Sequence, residues 1–343
     1  MIPKKQLTQI KDELNNCKKP LFLFHDDPDG LASFLLLYRY KHEGKGIPVK
    51  AAPRLNLFFA QKVEEYQPDK VFVLDIAEIQ DSFYKNVNVP IIWIDHHEVQ
   101  DIGPKVKYFN PRIADPDEYS PASYWCYEVV KQDSWIAAVG CIGDNYNPYF
   151  MDSVCKKYPY LLEKSNDDLE KIKFHSPLGK LMDIFASIMK GPTSQVLSCV
   201  KILTRVSAPD ELLKGETSRA RYILKHYQKI RKAYDEIFDE AMQVKPKGKL
   251  FVFIYKSGKI SVTKNLADEL AYRFPDKLVI VGREKSGEVK MSLRYDQKPL
   301  PPVLEKALIG IQGYGGGHET ACGSCVAAED FDRFLENLEN ALD

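Results

Sequence analysis

Four separated segments of the sequence place carboxylates and imidazoles where metal chemistry needs them. The first, His25-Asp26-Asp27-Pro28-Asp29-Gly30, directly follows the apolar run Pro20–Phe24. Asp75 ends the run Val71–Leu74, and Asp95-His96-His97 ends Ile91–Ile94. Asp144, in Gly143-Asp144-Asn145, closes the apolar stretch Trp135–Ile142. In an open α/β sheet the C-terminal ends of the strands line one crevice, so these segments converge if the runs are strands. That many carboxylates in one crevice repel one another, and divalent cations are the ordinary remedy. Mixed oxygen and nitrogen donors suit Mn²⁺, Mg²⁺ or Fe²⁺ better than a thiolate metal. Each segment also has a plain structural reading. Asp-Pro-Asp-Gly and Gly-Asp-Asn are turn signals, and a lone aspartate at a strand end can serve as a cap. Asp-His-His directly behind four apolar residues is harder to read as a surface loop. The four together, in this order, favour a metal site.

The elements that must position these groups follow from periodicity and punctuation. Short apolar runs alternate with amphipathic stretches in the first half, which predicts an α/β domain with a mostly parallel sheet flanked by helices. Gly30–Tyr40 reads as the helix after the first strand. Ser120 reads as the N-cap of a helix with Pro121 at its first position. Trp135–Ile142 fits helix or strand, with helix preferred. From about residue 166 to 242 the pattern is helical, and 215–242 is long, charged and unbroken, as suits a connection between domains. Lys245–Lys249 reads as a joint. Beyond it come strands at Leu250–Tyr255, Lys277–Val281 and Glu288–Arg294, with Ser286-Gly287 as a hairpin turn. Helices are expected at Asn265–Phe274 and Phe331–Leu342. The predicted division is 1–190 for the α/β domain, 191–245 for a helical connector, and 246–343 for a smaller α+β domain.

At 343 residues the chain is too long for one compact core, and 44% hydrophobic with 28% charged residues is ordinary globular composition. No apolar run is long enough to span a membrane. Seven cysteines, scattered and odd in number, in a chain without a signal-peptide pattern, point to a reducing, cytoplasmic setting. The formal net charge is zero, so any polyanion must be held by local patches or by metals. Such patches are Lys105 with Lys107, His226 to Lys232, and Lys245 to Lys249. Phe58 and Phe59 offer rings for base stacking. A solvated face for the basic stretches and a packed core for the phenylalanines are the better explanations of the two sets.

His25–Gly30, Asp75 in Leu-Asp-Ile-Ala-Glu-Ile, Trp93-Ile-Asp-His-His97 and Gly143-Asp-Asn145 resemble, in order and spacing, the four motifs of the DHH phosphoesterase superfamily. Met291–Arg294 followed by Gly315-Gly316-Gly317-His318 resembles the DHH-associated domain. The resemblance implies two divalent ions, Mn²⁺ or Mg²⁺, held by His25, Asp27, Asp29, Asp75, His96 and Asp144, with Asp75 as the bridge. It gives His97 to the phosphate and Asp95 to orienting His96. Two ions lower the pKa of an attacking water and clamp attacking and leaving oxygens. Arg294, His318 and the N–H groups of Gly315–Gly317, presented as a nest in a loop, would bind the substrate phosphate.

The substrate is narrower in one respect. Cyclic-dinucleotide and oligoribonucleotide enzymes of the superfamily carry an acid at the position of Leu31, whereas here the extra acid is Asp27. That arrangement resembles the RecJ-like exonucleases, in particular their compact archaeal relatives, without room for a further oligonucleotide-binding domain. An exonuclease releasing mononucleotides from single-stranded DNA or RNA is expected, with replication or repair proteins as partners. The competing readings are a phosphoesterase of short oligonucleotides, cyclic dinucleotides or nucleoside bisphosphates, and a non-catalytic replisome scaffold. Zinc at His318, Cys322 and Cys325 lacks a fourth ligand.

Overall fold

The computed structural model describes residues 2–50, 54–163, 168–256 and 261–342. It divides into two compact units, Met1–Tyr227 and Gln228–Asp343. The division falls inside the helix Ser218–Ala241. The helical stretch expected from residue 166 begins outside the described residues, and within them it is a series of helices from Leu169 onward.

The first unit holds the strands β1 (Pro20–His25), β2 (Lys45–Val49), β3 (Arg54–Leu55), β4 (Lys70–Leu74), β5 (Glu78–Ile79), β6 (Ile91–Ile94) and β7 (Val106–Phe109). Five form one parallel sheet in the order β2-β1-β4-β6-β7. Their sequences are continuous apolar runs because both faces are covered. Alternate residues feed different cores. Phe22, Phe24, Phe72, Leu74, Ile92 and Ile94 pack beneath the helices Pro28–Lys41, Ala122–Val130 and Ser134–Gly143. Leu21, Leu23, Val71, Val73, Ile91 and Trp93 face the other side, with Ala60 and Val63 of Leu57–Tyr66 and Phe83 of Asp81–Asn86. The chain leaves β1 toward β2 and returns on the opposite side at β4. The topological switch point therefore lies between the C-terminal ends of β1 and β4.

The helix Pro28–Lys41 begins abruptly behind β1. Asp27 is its N-cap and accepts the Gly30 N–H at 3.1 Å, with Pro28 in the first turn. Gly30 is required there, since a Cβ would stand 2.4 Å from the His25 carbonyl oxygen. The helix expected to be capped by Ser120 starts one residue later than the sequence implied, at Ala122, and Ser120 does not cap it. Pro121 occupies the N-cap position without a side-chain bond, and the first N–H groups are taken by another element. Asp29 accepts Ala122 N–H and Ser123 N–H, each at 2.8 Å, one through each carboxylate oxygen. A carboxylate at a helix N-terminus satisfies orphan donors and opposes the dipole favourably. Trp135–Ile142 is helical, within Ser134–Gly143.

The second unit is a five-stranded sheet of β8 (Leu250–Lys256), β9 (Leu278–Lys285), β10 (Glu288–Arg294), β11 (Gly313–His318) and β12 (Ala321–Ala327), in the order β11-β12-β10-β9-β8. All its pairs are antiparallel except β8 with β9. Ser286 (φ 55°) and Gly287 (φ 79°) form the expected tight turn between β9 and β10. Helices Leu300–Ala307 and Phe331–Leu342 cover one face. Thr263–Arg273 covers the other. The glycine-rich stretch expected as a loop is instead a strand. Gly315, Gly316, Gly317 and His318 pair in register with Ser324, Gly323, Cys322 and Ala321, so backbone pairing rather than a nest fixes them. No described helix is long and apolar enough to cross a membrane.

Packing and capping in the first unit can each be tested by substitution. A Cβ at Gly140 would lie 2.4 Å from Ser123 Oγ and 2.7 Å from Ala32 Cβ, where three helices meet. Gly140→Ala is expected to destabilise the protein by about 1–3 kcal/mol, read as a lower urea midpoint at unchanged slope. Asp29→Ala strands two buried N–H groups and is expected to cost about 1–3 kcal/mol in metal-free protein. An unchanged unfolding curve would deny Asp29 its capping role.

Candidate metal centre

Three strand ends deliver the candidate residues to the switch point. His25 is the last residue of β1, Asp75 follows β4, and Asp95 follows β6. Asp75 carries φ +55°, a left-handed conformation uncommon for a non-glycine residue. Its N–H still bonds to the Ile94 carbonyl at 3.0 Å, so the sheet ladder holds the turn. Asp144 arrives as the C-cap residue of Ser134–Gly143.

The Asp75 carboxylate, 1% exposed, lies between two groups of donors. On one side its Oδ2 is 3.2 Å from His25 Nδ1, which is 3.0 Å from Asp27 Oδ2. On the other side its Oδ1 is 3.3 Å from His96 Nε2, which is 3.2 Å from Asp144 Oδ2. His25, Asp27 and Asp75 form one set whose donor atoms all lie within 4.8 Å. Asp29, Asp75, His96 and Asp144 form a second, and Asp75, His96 and His97 a third, by the same measure. Every candidate ligand read from the sequence is thus in one of these sets, with Asp75 common to all.

The chemistry of this donor set fits divalent cations. Ligand atoms about 2.1 Å from an octahedral ion stand about 3.0 Å from one another, close to the spacings between these nitrogens and oxygens. Asp75 Oδ1 and His96 Nε2 are buried, and neither has a partner in hydrogen-bonding geometry among the described residues. Buried polar atoms that contact one another without hydrogen-bonding geometry are rare and require an explanation, of which an ion held between them is one. The protonation of the metal-free cluster points the same way. Burial alone would lower the imidazoles of His25 and His96. Asp27 and Asp75 around His25, and Asp144 and Asp75 around His96, outweigh it and hold both well above the usual histidine range. Burial, then the charges of Asp75 and Asp144, push the Asp29 carboxyl well above the usual carboxylate range. A cation would relieve the repulsion that protons otherwise relieve.

Asp95 departs from the expected role. It is paired with His97, not His96: His97 Nδ1 is 2.7 Å from Asp95 Oδ1, and the His97 N–H donates to Asp95 Oδ2 at 3.1 Å. The reason is local. Asp95 is fully buried, with its N–H on the Phe109 carbonyl, and the residue two positions on folds back over it. Burial lowers the His97 imidazole, but Asp95 outweighs burial and raises it. Two residues missed in the sequence complete this arrangement. Asn110 donates to the His97 carbonyl at 2.9 Å and to Tyr108 Oη at 2.8 Å, and Tyr108 Oη lies 3.4 Å from Asp95. Tyr108 lies in β7 and Asn110 just beyond it, a strand that Lys107 interrupts and that is not among those expected from the sequence. Asp26 stands apart from the donor sets, 3.8 Å from His25 Nε2, within the fields of Lys190 and Lys50. Lys50 directly follows β2, and Lys190 directly follows Met189 at the end of the helix Pro177–Ile188.

In the second unit, Arg294 Nε donates to Asp268 at 2.6 Å and Nη1 to its neighbour's carbonyl, Leu293 O, at 2.8 Å. Gly315–Gly317 and His318 are exposed on β11. Cys322 and Cys325 are three apart on a strand, hence on opposite faces, and Cys325 Sγ contacts Glu288 instead. They do not form a common site with His318. Several basic residues are engaged elsewhere: Lys105 with the Tyr84 carbonyl, Lys107 with Glu13, and Arg231 with Asp235. Phe58 is 55% exposed, with the Lys62 ammonium over its ring.

Residues 247–343 match the family model of the DHHA1 domain. No curated protein is significantly similar to the chain in sequence. Among solved structures it is similar to RecJ from Thermus thermophilus in complex with Mn²⁺, at 15% identity and TM-score 0.68, over 98% of this chain and 54% of that one. The chain therefore spans about half the length of that RecJ. It is also similar to the DHH domain of a member of a family of ribosomal proteins, at 14% identity and TM-score 0.66, over 98% and 89% of the two chains. A third is the pGpG-specific phosphodiesterase PggH from Vibrio cholerae, at 14% identity and TM-score 0.53, over 94% and 99%. At such identities the likeness is one of fold. The chain has the α/β fold seen in RecJ, and its residues 247–343 match the DHHA1 domain.

Proposed function

We propose that this protein is a two-metal-ion phosphodiesterase that removes mononucleotides from an end of single-stranded DNA or RNA. The observation that carries the reading is the shared Asp75 carboxylate, one oxygen toward His25 and Asp27 and the other toward His96 and Asp144. His25, Asp27, Asp29, Asp75, His96 and Asp144 are assigned to hold two Mn²⁺ or Mg²⁺ ions. When bound, such ions lower the pKa of an attacking water and neutralise charge developing on the phosphoryl group.

The protein's own groups do the remainder. Asp95 fixes the proton of His97 on Nδ1 and favours the charged imidazole. His97 Nε2 then carries a proton to donate to a phosphoryl oxygen as charge accumulates there. Asn110 and Tyr108 hold Asp95 and His97 in that relation. In the DHHA1 domain, Arg294, His318 and the backbone of Gly315–Gly317 are assigned to the substrate phosphates. Asp268 aligns the guanidinium for that purpose. The placement of catalysis in residues 1–190 and substrate binding in 246–343, joined by 191–245, belongs to the same proposal, as does a cytoplasmic setting. The intact donor set speaks against a scaffold that has lost its ions. The fold likeness to a pGpG-specific phosphodiesterase supports a second reading, in which the substrate is a dinucleotide.

An end-labelled 20-mer of DNA or RNA, labelled at either end, and a dinucleotide separate these readings when incubated with Mn²⁺ and with EDTA. Mononucleotide release from the 20-mer is expected with Mn²⁺ and not with EDTA. Cleavage of the dinucleotide alone would replace the exonuclease reading by the second, and inertness toward both would sink each. Asp75→Asn is expected to reduce turnover to background, and Asp95→Asn by about 10–100-fold.

Metal binding should also depend on pH. His25 and His96 hold protons above the ordinary histidine pKa in the metal-free cluster, and a ligating imidazole must be neutral. Mn²⁺ affinity is therefore expected to rise with pH above about 6.5, with protons released on binding. Calorimetry in two buffers of different ionisation enthalpy measures both, and an affinity independent of pH would contradict the assignment.

A further inference from the structure

Beside the metal cluster lies a group of aromatic rings that none of the preceding roles uses. Tyr119 is 63% exposed, and its ring stands edge-to-face with Tyr146, 5.7 Å between centroids at 79°. Tyr146 packs against Tyr124 at 5.4 Å, and Tyr124 lies parallel to Phe150 at 6.2 Å and 16°. The corner formed by Tyr119 and Tyr146 is therefore backed by the packed rings of Tyr124 and Phe150. Both rings are tied to the metal residues by short runs of backbone. Tyr146 is two residues beyond Asp144, and its N–H bonds to the Cys141 carbonyl at 2.9 Å, beside the Asp144 N–H on the same oxygen at 3.1 Å. Tyr119 is three residues before Ala122, whose N–H is held by Asp29. Two Cα steps span at most about 7.6 Å and three about 11.4 Å, so both tyrosines stand within a nucleotide's reach of the cluster.

The chemistry of the corner selects its occupant. Asp115, Asp117 and Glu118 immediately precede Tyr119 and disfavour a phosphate there. Flat exposed rings attract an uncharged aromatic group instead, and every nucleobase has a face to offer. Edge-to-face rings supply one stacking face and one wall, and tyrosine loses little conformational freedom on binding. We propose that Tyr119 and Tyr146 form a nucleobase-stacking subsite that receives the base of the nucleotide whose phosphate is delivered to the cluster. The proposal rests on the phosphodiesterase reading above for the position of that phosphate. A docking surface for the side chain of a protein partner is the competing occupant.

Binding of adenosine 5′-monophosphate and of ribose 5-phosphate, which differ only in the base, tests this without turnover. The full chain with Mn²⁺ is titrated with each and followed by calorimetry. The nucleotide is expected to bind at least about tenfold tighter than the sugar phosphate, a factor equal to about 1.4 kcal/mol and within the range of one base stacked on one ring. Tyr119→Ala is expected to remove most of that preference, and Tyr119→Phe, which keeps the ring, to retain it. Equal binding of the two ligands by the unaltered protein, or a preference that survives Tyr119→Ala, overturns the subsite. The subsite and the enzymatic reading fail separately. A preference that depends on Tyr119 in a protein that cleaves neither the 20-mer nor the dinucleotide would uphold base stacking and end the phosphodiesterase assignment.

Discussion

The crowding of negative charge around one buried carboxylate governs the first unit. Asp75 is almost fully enclosed, with Asp27, Asp29 and Asp144 within the same small volume. Such a group persists only if opposite charge is interleaved with it, by protonated imidazoles when no cation is present and by cations when one is. The surrounding fold is arranged to keep the carboxylate there. Five parallel strands fix where β4 ends, the bond from Asp75 N–H to Ile94 fixes the following residue, and the left-handed backbone turns its side chain across the sheet edge. Strain at one residue is tolerable because the packed sheet on both sides overdetermines its conformation.

The same residues build the fold and the cluster. Asp27 caps one helix while facing His25, and Asp29 closes the start of another while facing Asp75 and Asp144. Gly30 lets the first helix settle against the backbone of His25, which fixes where that imidazole emerges. A cluster held this way needs little reorganisation on loading, since these carboxylates are fixed by structural bonds as well as by their neighbours. Helix termini here serve as fixtures for carboxylates.

Much of this is legible in the sequence, and the reasons are specific. Continuous apolar runs such as Pro20–Phe24 and Ile91–Ile94 can be buried on both faces only in a covered sheet, and each is followed at once by acids or histidines. The hairpin at Ser286-Gly287 is readable because two consecutive positive φ angles leave few residue choices. The failures share a cause, which is partnership across the chain. Ser120 has the type and spacing of a cap, but Asp29, more than ninety residues earlier, takes the donors. Adjacency suggests Asp95 for His96, whereas the turn after β6 brings His97 over it. Gly313–His318 has the composition of a loop, and only the register of β12 makes it a strand. No local pattern encodes Tyr119 meeting Tyr146, because that contact exists only after two helices have packed.

The glycine-rich edge strand has a further consequence for the protein's behaviour in a crowded cell. β11 presents six exposed residues at the margin of its sheet, a place where a foreign strand can add and seed aggregation. Four of the six are glycines, and Gly317 at φ 154° has a backbone that an ordinary residue adopts with difficulty. Residues without side chains give an incoming strand no apolar pairs to lock its register, and glycine loses more chain entropy on ordering than any other residue. The composition that leaves this backbone exposed thus makes it a poor template for another polypeptide.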